Sequence, residues 1–331
     1  MRASRSGRAA RRIAATVAAA SILAGCASGA DRPARQDRTA ALGTAPTATT
    51  GAKGAAGGAA GGASTSPTGR SPAATAGPGV TATTAPRRRP PPAADILAAT
   101  LTRAETAIRD PATPAARLPA LGRAQQRAYR AIGRSPSLLP QVLGRVPAKL
   151  RPAVRANVAA AIDLRKLARV GPRLPPWRIV PAPPAAELLA AYHDAEAKLG
   201  VPWSYLAAIN VVETRTGRIR GESPAGAQGP MQFMPSTWRR YGAGGDIESV
   251  HDSILAAARL LRANGAPRDL GSALYAYNHS QLYVRAVTAY AGVMRADERA
   301  FLGYHQWQVY YGDTLLPEGY PARTPPPGSG G

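Results

Sequence analysis

The chain has 331 residues, including 34 Gly, 32 Pro, 2 Phe and one Cys, and many of its apolar residues are alanines in low-complexity sequence. That composition leaves room for one compact domain of ordinary size beside accessory and disordered segments and excludes two large cores, while the single cysteine excludes an intrachain disulfide. The net charge of +23 implies polyanionic surroundings (nucleic acid, anionic lipid or an anionic cell wall) without choosing among them.

In chain order, MRASRSGRAARR reads as a basic n-region and IAATVAAASILAG as a short apolar h-region. The apolar run is too short to span a bilayer comfortably, and no stop-transfer pattern follows. It ends in Leu23-Ala24-Gly25-Cys26, where Cys26 is the only cysteine. This ending resembles a bacterial lipobox. The resemblance implies a signal peptide over 1–25, lipidation of Cys26, and anchoring to the outer face of the cytoplasmic membrane in the cell-wall zone. Residues 26–92 are Ala, Gly, Thr, Ser and Pro, as in GAKGAAGGAAGGASTSPTG. Such sequence buries too little apolar area to offset its ordering entropy, so a disordered linker is expected.

Residues 93–170 read as short helices. Leu97, Leu101, Ala104 and Ile108 keep a helical period closed by Asp110-Pro111; Leu118, Leu121, Tyr129 and Ile132 form a second, stopped by Gly133. Leu150, Val154, Val158 and Ile162 share one face of a third. This is either a small helical accessory domain or helices packed on the next one. A proline-rich connector occupies 171–183.

Residues 184–320 are denser in core-forming patterns. Leu188, Leu189, Tyr192 and Ala195 form an amphipathic helix ending at Gly200. Pro202 opens a helix carrying Leu206, Ile209 and Val212, expected to end at Gly217. Ser249 to Asp252 matches a capping pattern, Leu274 to Asn278 is a short helix, and Ser280 is placed to cap a helix with Tyr283, Val287, Tyr290 and Met294 on one face. The segment HQWQVYYGDTLLPEGY is β-prone, with Gly312-Asp313 as the turn of a hairpin or an extended strap. Trp307, Tyr310 and Tyr320 there are better suited to packing on the core than to stacking on sugars. Residues 321–331 read as a disordered tail.

Glu213 is the residue that asks for a chemical explanation. It follows Ile209, Val211 and Val212 near the end of its helix. Apolar neighbours and the negative end of the helix dipole both disfavour a carboxylate there, and both raise its pKa. A raised pKa suits a general acid; a surface pairing with Arg215 or Arg218 is the structural alternative. Downstream come a glycine-punctuated loop, Gly226-Ala227-Gln228-Gly229-Pro230-Met231-Gln232, and then Ala276-Tyr277-Asn278.

Together these three elements resemble the SLT-type lytic transglycosylase domain, a relative of goose-type lysozyme, over Pro184 to Met294. The aromatic tail is similar to that of secreted actinobacterial lipoprotein members. The resemblance implies a mostly α fold: a lysozyme-like helical domain with an N-terminal helical accessory segment and a short C-terminal aromatic hairpin or strap. It implies Glu213 as catalytic acid and base, and Ser223, Gln232, Met234, Tyr277 and Asn278 as substrate-binding residues, with Tyr277 supporting Glu213. It further implies a monomer that needs no cofactor, acts on peptidoglycan glycan strands and binds no nucleic acid. Thr214 stands where the family has serine, Pro230 where it has leucine, and His279-Ser280 where many members have glycine. The segment from Glu213 to Gly226 is one residue longer than the commonest form.

Two other functions stay open at this level. A hydrolysing muramidase requires a second carboxylate, for which Glu222, Asp246 and Asp252 are the candidates, although Asp252 fits a helix start and Asp246 a turn. A non-catalytic glycan-binding lipoprotein would keep the cleft without turnover. His193, His251, His279 and His305 are scattered without metal-ligand spacing, and no Gly-x-Ser-x-Gly elbow is present.

Overall fold

The computed structural model describes residues 93–321. The expected signal peptide, the lipidation site at Cys26, the linker over 26–92 and the tail beyond 321 lie outside the described residues. Within them the protein is mostly helical, with eleven α-helices and four short strands.

The first four helices are α1 (Ala93–Arg109), α2 (Leu118–Arg134), α3 (Leu139–Arg145) and α4 (Arg151–Leu167). Their apolar stripes supply Leu101, Ile132, Val154 and Val158, all fully buried. Gly133 does not stop α2, which continues to Arg134. A Cβ at Gly133 would stand 3.2 Å from the Ala161 methyl, so the glycine marks where α2 crosses closely over α4.

The remaining helices are α5 (Ala185–Leu199), α6 (Trp203–Thr214), α7 (Pro235–Tyr241), α8 (Val250–Ala263), α9 (Leu270–Tyr277), α10 (Gln281–Ala296) and α11 (Ala300–His305). α10 lies between α4 and α6 and packs on both. Leu101, Ile132 and Val158 consequently share one continuous core with Leu206, Ile209 and Val287, and the helices of 93–170 pack directly on those that follow. Every residue of α6 is buried, the polar Ser204, Asn210, Glu213 and Thr214 included.

Strands β1 (Arg178–Ile179) and β2 (Ile219–Arg220) pair antiparallel, as do β3 (Val309–Tyr311) and β4 (Thr314–Leu316). The second pair is the hairpin, with Gly312 in the left-handed region at φ 58°. The chain then returns as a strap. Ile179 N–H donates to Tyr320 O at 2.9 Å and Gly319 N–H to Ile179 O at 2.8 Å. Trp307 is buried among Tyr129, Tyr290 and Tyr304 and donates from Nε1 to Gln125 Oε1 at 2.9 Å. Gln126 exchanges two 2.8 Å hydrogen bonds with the Gln308 backbone, fixing the tail to α2.

Candidate active site

α6 begins after Pro202 and is stopped abruptly. Arg215, Thr216 and Gly217 all have positive φ, at 54°, 61° and 81°, and Thr216 N–H reaches back to Asn210 O at 3.1 Å. The helix ends at Thr214, three residues before the expected Gly217. Two non-glycine residues, one of them β-branched, hold a conformation that costs about 1–3 kcal/mol each. A set of buried hydrogen bonds holds it in place. Tyr192 donates to Asn210 Oδ1 at 2.7 Å, Asn210 Nδ2 to Pro230 O at 2.9 Å, and Thr214 Oγ1 to Pro230 O at 2.6 Å; Gly217 N–H donates to Thr214 Oγ1 at 3.0 Å. The threonine at 214 therefore uses a hydroxyl that serine also carries. The residue at 230 contributes its backbone carbonyl, which proline retains.

The same bonds fix the loop that faces the helix end. Gln228 and Phe233 bridge each other in antiparallel fashion, and Gly229 turns at φ 71° with its α-carbon against Ile247, where a Cβ would approach the carbonyl oxygen to 2.0 Å. No side chain fits there. Gln232, at φ 52°, donates from Nε2 to Gly229 O at 3.0 Å. Its Oε1 is buried with no partner among the described residues, and a buried amide oxygen in that condition favours a donor brought by a ligand.

Glu213 is 3% exposed. The Tyr283 hydroxyl, from α10, donates to its Oε1 at 2.7 Å. Burial pushes its carboxyl up to about 8, against the opposing effects of the Tyr283 hydrogen bond and the Arg215 charge. At neutral pH the carboxyl therefore carries its proton. Arg215 acts only through its field and forms no ion pair with Glu213 among the described residues, while Arg218 pairs with Glu318. The surface-pairing alternative does not occur.

Tyr277 does not bond to Glu213. Its hydroxyl donates to Met231 O at 2.6 Å, and its ring stacks on Tyr283 with centroids 6.3 Å apart and planes 5° from parallel. Tyr277 thus backs the tyrosine that holds the acid and pins the 226–235 loop. Sequence reasoning placed Tyr283 on a buried helix face and missed its bond to Glu213; seventy residues separate the two, and only α10 packing on α6 brings them together.

The other expected residues take different positions. Ser223 is buried, and its Oγ accepts from Ala225 N at 3.3 Å and Ala227 N at 3.0 Å, which shapes the loop before Gly226. Met234 is half-buried and precedes α7, accepting Trp238 N–H at its carbonyl. Asn278 is 4% exposed at the C-terminal cap of α9. Of the acids considered as a second carboxylate, Glu222 is exposed and accepts from Gln228 Nε2 at 2.7 Å. Asp252 accepts the Asp246 backbone N–H at 3.0 Å, and Asp246 accepts that of Glu248 at 2.9 Å. Among the described residues no group of three or more His, Cys, Asp or Glu could hold a metal.

Residues 191–299 match the family model of the transglycosylase SLT domain. The match spans α6, the 226–235 loop and α10, which carry Glu213, Gln232 and Tyr283. No curated protein and no solved structure matches the chain. The hairpin and all four helices α1–α4 lie outside the matched SLT residues.

Proposed function

We propose that the protein is a peptidoglycan lytic transglycosylase in which Glu213 works first as acid and then as base. The observation that carries this reading is the buried Glu213 under the Tyr283 hydroxyl, its carboxyl pushed up by burial to about 8, inside the region that matches a transglycosylase domain.

Protonated Glu213 donates to the glycosidic oxygen between N-acetylmuramic acid and N-acetylglucosamine, and that C–O bond breaks. The muramic acetamido oxygen stabilises C1, so no protein nucleophile is required, in contrast to the two-carboxylate arrangement of most glycosidases. Glu213, now ionised, takes the C6 hydroxyl proton as that oxygen bonds to C1 and closes a 1,6-anhydro ring. Tyr283 supports the second half, because its hydrogen bond favours the carboxylate. Gln232, whose Oε1 has no partner among the described residues, is suited to accept a hydrogen bond from a substrate amide or hydroxyl. Ser223, Met234, Tyr277 and Asn278 shape the binding surface. The sequence before Ala27 supports export and a lipid anchor on Cys26, which would confine the enzyme to the wall zone outside the membrane.

Mass spectrometry of fragments released from purified cell wall tests the reaction. The expected products end in anhydromuramic acid. Fragments ending only in reducing sugars would overturn the transglycosylase reading in favour of hydrolysis.

A further inference from the structure

A cavity of about 460 Å³ that Glu213 does not line is bounded by α2, α4, α10 and the β3–β4 hairpin. Its size falls in the roughly 300–1,000 Å³ range of small-molecule sites. None of Glu213, Ser223, Gln232, Met234, Tyr277 or Asn278 lines it. Four guanidiniums do: Arg130, Arg134, Arg165 and Arg215. The acid among its lining residues is Asp313. A single oxygen of that acid, Oδ1, faces Arg130 at 3.3 Å, Arg134 at 3.2 Å and Arg165 at 3.6 Å. One carboxylate that is more than half exposed leaves most of this positive charge uncompensated.

Arg215 sharpens the imbalance. It enters the cavity from the strained turn after α6, and its Nε is buried with no hydrogen-bond partner among the described residues. Burial lowers its basicity, and burial together with the nearby Arg215 charge lowers that of Arg130. The lining also includes apolar and aromatic side chains, among them Val212, Tyr290, Trp307 and Val309. A second cavity lies across the stacked Arg130 and Tyr310, whose guanidinium carbon is 3.9 Å from the ring centroid, and it adds Arg103 and Arg127. The field on both sides of that wall attracts anions.

The geometry points to a ligand site for a small organic oxyanion, with its carboxylate or phosphate group among Arg134, Arg165 and Arg215 and its apolar body against Val212, Tyr290 and Trp307. Asp313 holds part of that arginine set in the absence of such a ligand. None of the residues assigned to the reaction lines the site, and the group it shares with Glu213 is Arg215, whose charge also acts on that carboxyl.

Calorimetric titration of the purified protein with hexanoate and, separately, with inorganic phosphate tests the assignment. Hexanoate should bind with one-to-one stoichiometry. Arg134→Gln and Arg165→Gln should each weaken it about tenfold, the scale of one charge-assisted hydrogen bond, and Asp313→Asn should tighten it by removing the competing carboxylate. Both arginines are more than 40% exposed, so neither change threatens the fold. Absence of hexanoate binding, binding of phosphate alone, or equal hexanoate affinity in the arginine variants and the parent would each overturn the assignment.

Discussion

Glu105 lies in α1 and Glu213 in the last turn of α6, and both are buried, at 0% and 3% exposure. Around Glu105 the protein gathers three partners. Gln125 Nε2 donates to Oε1 at 2.9 Å, the Tyr129 hydroxyl donates to the same oxygen, and Arg109 forms an ion pair with Oε2. Glu213 receives a tyrosine hydroxyl but has no ion pair among the described residues. Its nearest acting cation, Arg215, turns away to donate to Val211 O. Burial alone does not make an acid reactive, because a carboxylate given a guanidinium and two donors is a structural tie. The same group given one donor at the negative end of a helix is kept as a proton store.

The largest expected effect comes from removing the acid that holds its proton. Glu213→Gln should lower release of wall fragments by about 10⁴-fold, since it deletes both acid and base. Circular dichroism should show the fold intact, and a variant retaining substantial turnover would make Glu213 as structural as Glu105.

The same substitution should stabilise the protein in a pH-dependent way. The folded carboxyl titrates at about 8 against an ordinary value of 4.5. The folded state therefore binds the proton more tightly, and it loses stability as pH rises through that window. Glutamine does not titrate, so the variant should gain on the parent from about pH 5 upward, by up to about 5 kcal/mol above pH 8. Urea unfolding at pH 4, 6 and 8.5 measures this, and a constant difference across the series would contradict it.

Glu105→Gln sharpens the contrast from the other side. It keeps the shape but leaves Arg109, which is 17% exposed, without its nearest counter-charge. A loss of about 3 kcal/mol is expected, with turnover of the folded fraction unchanged. Tyr283→Phe should have the smallest effect, about a tenfold loss of activity, the scale of one hydrogen bond to a charged group. Because that bond favours the carboxylate, removing it should move the alkaline fall of activity, expected near pH 8 in the parent, to higher pH. A pH–rate profile that stays in place would remove Tyr283 from the account.

The two acids also differ in how far the sequence reveals them. Glu213 is conspicuous because Ile209, Val211 and Val212 precede it and two glycine- and asparagine-bearing elements follow at suitable spacing. Glu105, with Arg109 four residues on, carries no comparable signal in the sequence. Its burial depends on Gln125 and Tyr129, which only the packing of α2 on α1 supplies. The longer helices α1, α2, α4, α5, α6, α8 and α10 followed from apolar periodicity, whereas the short α3, α7 and α11 were not anticipated. Gly200 ended α5 as expected, at φ 69°. The end of α6 was misplaced because propensity favours Gly217 for the left-handed position, whereas the Asn210–Thr214–Pro230 hydrogen bonds impose that conformation first on Arg215. Tyr283 was hidden for a related reason: a tyrosine on an apolar stripe gives no sign of what its hydroxyl will meet.

The most direct test of the central claim is the titration of the Glu213 carboxyl itself. Carbon-13 NMR of protein labelled at glutamate side chains, with Glu213→Gln used to assign the signal, gives its apparent pKa. A midpoint about 8 is predicted. A midpoint near 4.5 would mean that the buried acid is ionised at neutral pH, and would contradict its role as proton donor.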